Sequence, residues 1–417
     1  MKKFLSHIIA VMFFYQIPAA QTLRLPDILD TIARAHPSIK MYEAEIRSLD
    51  AAASGAQNWM PPEISSGFWM TPYNPNLWMK DGNANTGMGQ YMISVSQMFP
   101  NRKLNDANEK YMRAISSVEL ENKESNLNEL FALAKSSYNS LIVIQKKLAL
   151  IDDDDRLLQL MVTNAETRYK NGLGKVSAYY KAKAAQGNLE KKRIILQNEA
   201  VQKRITLNTL MNRDRLFNFS IDTNYKMADY ADRTFDNTVF YSSRNDLKGL
   251  DKSIQLTYLR QEVEKESLRP QFGAQFSHMF GFGGFPEEFT LMATVRIPFA
   301  NWSSRERKAN IESLQWKAAA LENQKQTMAN QYAGVAYGIQ EDIKAIKRQL
   351  EILKKDIIPA LVRNYQSTLL AYEQNTEELF SLYDAWETLN STQFEYLDQL
   401  QQLFDKKVDL EKLLETK

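Results

Sequence analysis

The 417-residue sequence contains no cysteine. That excludes a disulfide framework, a thiolate nucleophile and any cysteine metal centre. Histidine is nearly missing as well, with three in the whole chain. His7 falls in the N-terminal leader described below, so His36 and His278 are too few for a histidine zinc site within one chain. No charge sign dominates: 52 Lys and Arg against 50 Asp and Glu leave a formal net charge of +2. With no basic stripe there is no support for nucleic-acid binding. Beyond residue 20 no apolar run approaches the roughly eighteen residues a transmembrane helix needs. No nucleophile motif, phosphate loop or metal-ligand set appears, so nothing supports an enzyme and no cofactor is expected.

Residues 1–20 read MKKFLSHIIAVMFFYQIPAA. Lys2 and Lys3 form a positive start, Phe4 to Ile17 an apolar core, and Pro18-Ala19-Ala20 a small-residue end, the pattern of a secretory signal peptide. Cleavage is expected near Gln21, and the missing cysteine excludes a lipoprotein anchor.

Glycine and proline are scarce where the sequence is most regular. From Asn101 to Lys170, and again from Trp302 to Leu370, about seventy residues run rich in Ala, Leu, Glu, Lys and Gln, the residues that lose least on entering a helix. At 1.5 Å per residue each would span roughly 100 Å, which implies a rod or a tube. Helices are also expected at Leu25–Asn58, interrupted at His36-Pro37, at 176–212, at 245–269 and from Thr376 to about Leu414. Ser303 and Glu306 read as a capping box opening the second long helix, and Pro359 as a kink within it. Residues 214–244 read as a link with little regular structure.

Strand periodicity appears in two pairs of segments. Tyr91, Ile93 and Val95 alternate with Met92, Ser94 and Ser96, and Phe289, Leu291, Ala293, Val295 and Ile297 alternate with Thr290, Met292, Thr294 and Arg296. Their partners are the segments from residue 63 and from residue 271, giving hairpins at about 63–99 and 271–298. The order helix, strand, strand, long helix, return helix thus occurs twice, in residues 21–213 and 245–417, joined by 214–244. Such a repeat sets the architecture. Strands of about ten residues with one apolar and one polar face suit an outer-membrane barrel. Four cannot close one, and lipid does not tolerate open edges, so copies must pool their strands.

These features, with the matching turn motifs Tyr169-Lys170-Asn171-Gly172-Leu173 and Tyr372-Glu373-Gln374-Asn375-Thr376, resemble the TolC-like outer-membrane efflux proteins, and within them the heavy-metal branch. The family pattern is Y-x-x-G followed by a return helix. Asn375 departs from it, although asparagine is the next best residue for a left-handed position. The resemblance covers the whole chain after the leader. It implies a mainly α fold with a small transmembrane β part: a homotrimer whose twelve strands form one barrel in outer-membrane lipid, continued by a periplasmic α-helical barrel. The partners it implies are a periplasmic adaptor and an inner-membrane resistance-nodulation-division pump. The implied function is a passive exit duct for heavy-metal cations such as Cu/Ag or Co/Zn/Cd. Drug efflux and type I protein secretion are alternatives within the family, and a trimeric coiled-coil scaffold or adhesin is the alternative outside it.

The resemblance places adaptor docking at Tyr169, Asn171, Gly172, Leu173, Tyr372, Gln374, Asn375 and Thr376. It places a periplasmic gate at Tyr372, Glu377, Ser381 and Asp384. Glu377 and Asp384, seven apart, would share one face of the return helix. Met60, Met70, Met79, Met88 and Met92 are candidate thioether ligands for soft cations; the alternative is that they fill the barrel and its aromatic girdles. Asp152 to Asp155 is either a solvated helix face or a negative channel lining. Arg102, Lys103, Arg305, Arg307 and Lys308, at the starts of the long helices, are set against either lipid phosphates or neighbouring carboxylates. His278 is expected as a polar residue beside the Gly-rich loop, with a ligand role as the other reading.

Overall fold

The computed structural model describes residues 22–79, 87–172, 174–223 and 233–416. The leader and Leu173 therefore lie outside the described residues.

Chain order is β1 (Thr22–Leu23), α1 (Leu25–Ala35), α2 (Pro37–Ser54), β2 (Glu63–Trp69), β3 (Gln90–Met98), α3 (Arg102–Lys170) and α4 (Val176–Leu210). After β4 (Ser220–Ile221) and α5 (Asn237–Ser243) come α6 (Asn245–Glu266), β5 (Gln271–Gly281), β6 (Glu288–Arg296), α7 (Asn301–Ile352), α8 (Ile358–Glu373) and α9 (Leu379–Leu414). The expected order, two strands between a shorter helix and a long one followed by a return helix, is present twice.

Local chemistry explains the boundaries. His36 takes an extended conformation, ψ 131°, because Pro37 crowds the helical one, and this separates α1 from α2. The Asn101 side chain accepts from the backbone N–H groups of Lys103 and Leu104, capping the 69 residues of α3. The Ser303–Glu306 capping box does not form. Helix α7 starts two residues earlier, and Ser303 donates its hydroxyl to the carbonyls of Pro298 and Ala300 instead. Near Pro359 the chain makes a π-helical turn, Leu353–Ile357. Proline has no N–H for the carbonyl four residues back, and the wider turn absorbs the mismatch. The 214–244 link is more regular than its composition implied, since it carries β4 and α5. The last helix begins at Leu379, three residues later than expected, because residues 374–378 are spent on a turn.

The chain divides into two compact units. The first comprises residues up to Ile39, Leu127–Phe235 and Gly334–Lys417. Its core holds Ile28 and Ile32 of α1, Ile151 and Leu158 of α3, Leu207 of α4 and Leu382 of α9. Burying each such side chain contributes about 1.5–3 kcal/mol. β1 and β4 pair in parallel, and the Tyr138 hydroxyl donates to the Asp222 carbonyl at 2.7 Å beside them. Lys135 and Glu411 form a buried ion pair at 2.6 Å.

The second unit comprises Lys40–Asn126 and Asp236–Ala333 and carries an antiparallel sheet in the order β2-β3-β5-β6. Its register aligns Ile64, Val95, Phe276 and Leu291 in one row, and Ser65, Ser94, Ser277 and Thr290 in the next. Because neighbouring residues of a strand face opposite ways, one face is apolar and the other polar. The burial runs opposite to that of a water-soluble sheet. On the apolar face Ile64, Leu291 and Phe289 are 73%, 72% and 70% exposed, whereas Gln90, Ser94 and Ser277 on the polar face are buried.

Candidate functional site

Helix α3 ends in a turn whose left-handed residue is Gly172, φ +71°. Its N–H donates to the Tyr169 carbonyl at 3.0 Å, and a Cβ there would meet no atom within 4 Å. Backbone conformation, not lack of space, calls for glycine. Helix α8 ends the same way with Asn375 at φ +60°. The Asn375 N–H donates to Tyr372 O at 3.1 Å and the Thr376 N–H to Ala371 O at 2.9 Å, the two bonds of a Schellman cap. Asparagine thus performs the glycine's backbone role in the second turn.

Both turns lie in the first unit, and side chains tie them together. Arg168 donates to Asn375 Oδ1 at 2.6 Å, and its guanidinium carbon lies 5.1 Å from the centre of the Tyr372 ring. Lys175 Nζ bonds both Glu378 oxygens, at 3.1 and 3.3 Å. Lys181 of α4 sits over two rings of α9, 3.7 Å from the centre of Phe380 and 4.2 Å from that of Tyr383. A cavity of about 760 Å³ lies among these residues, lined by Arg168, Lys175, Lys181, Tyr372, Glu377 and Tyr383.

Of the residues expected for docking, Tyr169, Asn171, Gly172, Gln374, Asn375 and Thr376 are exposed. Tyr372 is not: it is 5% exposed, and burial raises its phenol pKa while the Arg168 charge opposes the shift. Ser381 is half-buried in the first turn of α9, and Glu377 and Asp384 are exposed. The expected shared helix face of Glu377 and Asp384 does not exist. Glu377 precedes α9, whose N-cap Glu378 is extended at ψ 154°, so the period of 3.6 does not reach back to it.

The four aspartates separate rather than act as one face. Asp152 and Asp155 face Arg193, and Asp153 pairs with Arg156. Asp154 is buried, 4% exposed, and accepts from Trp386 Nε1 at 2.9 Å and from Asn390. Burial raises its pKa, partly offset by these two hydrogen bonds. Only the position of Asp154 on the α9-facing side of α3 distinguishes it, which a run of four identical residues conceals. Among the basic residues at the helix starts, Arg307 bonds Glu264 at 2.7 Å, the carboxylate alternative.

In the second unit Met60, Met70, Met79 and Met88 are exposed, and Met92 stands on the polar sheet face with Met279 as its cross-strand partner. Met279 escaped the sequence reading because the pairing joins strands from different repeats. His278 lies on the apolar face, in the row of Ile93 and Phe289, with its ring 4.4 Å from that of Phe280. No cluster of three or more His, Cys, Asp or Glu suited to a metal occurs among the described residues, and none of the described helices is long and apolar enough to cross a membrane.

No protein-family model and no curated protein sequence matches the chain. Solved structures do. The chain is similar to CusC, described as forming a transmembrane channel, with a TM-score of 0.73 and 12% identity over 94% of this chain and 91% of that one. It is similar to the outer-membrane protein VceC of Vibrio cholerae, with a TM-score of 0.71 and 12% identity over 94% and 95%. The CmeC outer-membrane channel of Campylobacter jejuni gives 0.70 and 11% over 94% and 85%. These neighbours are outer-membrane efflux channels of the TolC family, and the chain has their fold.

Proposed function

We propose, from the fold shared with TolC-family outer-membrane channels, that this chain is the exit duct of a tripartite efflux pump. The observation that carries the reading is the reversed sheet. A face of Ile, Leu, Val and Phe turned outward while Gln90, Ser94 and Ser277 of the other face are buried is costly in water and favourable in lipid. The strands at the ends of the sheet, β2 and β6, have no further partner among the described residues. Lipid requires those edges to be paired, so three copies close a twelve-stranded barrel. The two turns of the first unit then dock a periplasmic adaptor coupled to an inner-membrane pump. Glu377, Ser381 and Asp384 act there as separate polar positions of the aperture. The substrate we favour is a heavy-metal cation, on the strength of the exposed methionines and the Met92–Met279 pair, since thioethers suit soft cations.

Native mass spectrometry in detergent and conductance in planar bilayers test the duct. A trimer that opens ion-conducting pores is expected; a stable monomer without conductance overturns the reading. Loss of the gene should sensitise cells to copper or silver salts. Sensitivity to hydrophobic drugs alone would assign the duct to drug efflux instead.

A further inference from the structure

The polar face of the β2-β3-β5-β6 sheet carries a residue type that a watery lining does not call for. All the methionines of these four strands stand on it: Met92 and Met98 of β3, Met279 of β5 and Met292 of β6. The register puts them in the same alternate set as Gln90, Ser94, Ser277 and Thr290, and the apolar face of these strands has none. Methionine is an apolar side chain, so a methionine serving only as filler belongs with the Ile, Leu, Val and Phe of the other face. Four on the hydroxyl-bearing side point to a use for the sulfur.

Two of the four are direct cross-strand partners. Met92 lies opposite Met279, and residues so paired have Cβ atoms about 4.5–5.5 Å apart, within reach of one ion held between two flexible thioethers. Met279 is buried and Met92 half-buried. The β2 member of their row is Gly67, where a Cβ would meet nothing within 4 Å, so the row is open beside Met92. The β6 member is Glu288, whose Oε2 accepts from the neutral amide of Gln90 at 2.9 Å. The row thus sets two sulfurs beside one negative charge. The other two methionines continue toward the helices. Met292 stands two rows, about 14 Å, along the sheet, and Met98 one row beyond it. Met98 leans over β5, since a Cβ on Gly273 would collide with its sulfur. The carboxylates of this face, Glu63 and Glu288, stand in the rows of Met292 and of the pair, whereas Arg296 stands past Met98.

We propose that this face binds the soft monovalent cations Cu(I) and Ag(I), with the thioethers of Met92 and Met279 as ligands and Glu288 balancing the charge. Thioether sulfur is a soft donor and selects such ions. The row holds neither imidazole nor thiolate, the donors that suit Zn(II). The inference rests on the duct reading for its purpose, because there this face lines the passage. It narrows the favoured substrate from heavy-metal cations at large to the soft monovalent ones.

The test titrates the purified full chain in detergent calorimetrically with silver nitrate in chloride-free buffer; Ag(I) needs no reductant. Saturable binding is expected, weakened at least about tenfold by Met92→Leu combined with Met279→Leu, and less by Glu288→Gln. Leucine replaces methionine with little change of volume, so a loss of binding there is not a loss of fold. Gly67→Met adds a third thioether to the open side of the row and should tighten binding severalfold, a gain that misfolding cannot imitate. Replacing the exposed Met60, Met70, Met79 and Met88 together by leucine should weaken binding by less than about twofold. Absence of binding, binding that depends on the exposed methionines and not on the pair, or displacement of silver by an equal concentration of Zn(II) overturns the proposal. Pore formation is read separately on the same preparation. A chain that conducts but takes no silver keeps the duct and loses this site. One that binds silver as expected but forms no pore keeps the site and loses the duct.

Discussion

Asp154 shows what a single residue contributes to this helical unit. Its carboxylate joins α3 to α9 by accepting from the indole of Trp386 and the amide of Asn390. Burial disfavours its charge, so its folded-state pKa is raised above that of an ordinary aspartate. An acid whose pKa is raised on folding costs stability once ionised, and that cost is fully present above the folded pKa. It disappears as pH falls through the folded value towards that of an ordinary aspartate. Measured against the non-titrating Asp154→Asn variant, the wild type should therefore gain in relative stability as pH is lowered through that interval. Chemical denaturation at several pH values checks this, and a constant difference between the two proteins would refute it. Asp154→Leu should be less stable than Asp154→Asn by about 1–3 kcal/mol at every pH, because it strands the Trp386 N–H. None of this was legible in the run Asp152 to Asp155. Composition says that four carboxylates prefer water, but which one turns inward depends on where α9 packs.

Among the elements, the long helices were the most legible and the turns the most instructive. Helix α3 was expected to end at Lys170 and does, because Gly172 ends a stretch of good helix formers with the one residue indifferent to positive φ. The second turn was legible in its backbone but not in its reach. Asn375 adopts the expected left-handed geometry, yet the cap consumes residues up to Glu378, and this separated Glu377 from the helix that bears Asp384. Pro359 was expected to kink the second long helix; next to it the chain makes a π-helical turn, and helix runs on either side of that turn. For the turn itself, Asn375→Gly should retain stability apart from the Arg168 contact, while Asn375→Val should lose about 1–2 kcal/mol by forcing a β-branched residue into positive φ. Thermal unfolding of the two variants side by side is the measurement, and equal midpoints would deny that the left-handed geometry matters.

At the scale of the whole molecule, the duplicated order and the alternation of the four strands could be read directly, because period 2 and period 3.6 are properties of the sequence. Contacts between repeats could not: the β3–β5 pairing, which sets Met92 beside Met279, joins segments nearly two hundred residues apart. The sheet makes a sharp prediction from two adjacent residues. Leu291→Arg places a charge on the outward apolar face and should cost about 2–4 kcal/mol in lipid, whereas Thr290→Arg, on the polar face, should be tolerated. Denaturant titration of the protein inserted in vesicles, with trimer yield as a second readout, separates them; equal effects would mean that the faces are not divided between lipid and water. The same reversed sheet has a consequence before any pore exists. On the proposed function, a chain on its way to the membrane carries an oily surface and two strand margins unpaired among the described residues through water. Neither can be hidden by the chain alone, since burying one face within the sheet exposes the other. Maturation is therefore a race between encounter with sister chains at a bilayer and adhesion to any other unpaired strand. Its yield should fall as the concentration of unassembled chains rises, whatever the stability of the proposed assembly once formed.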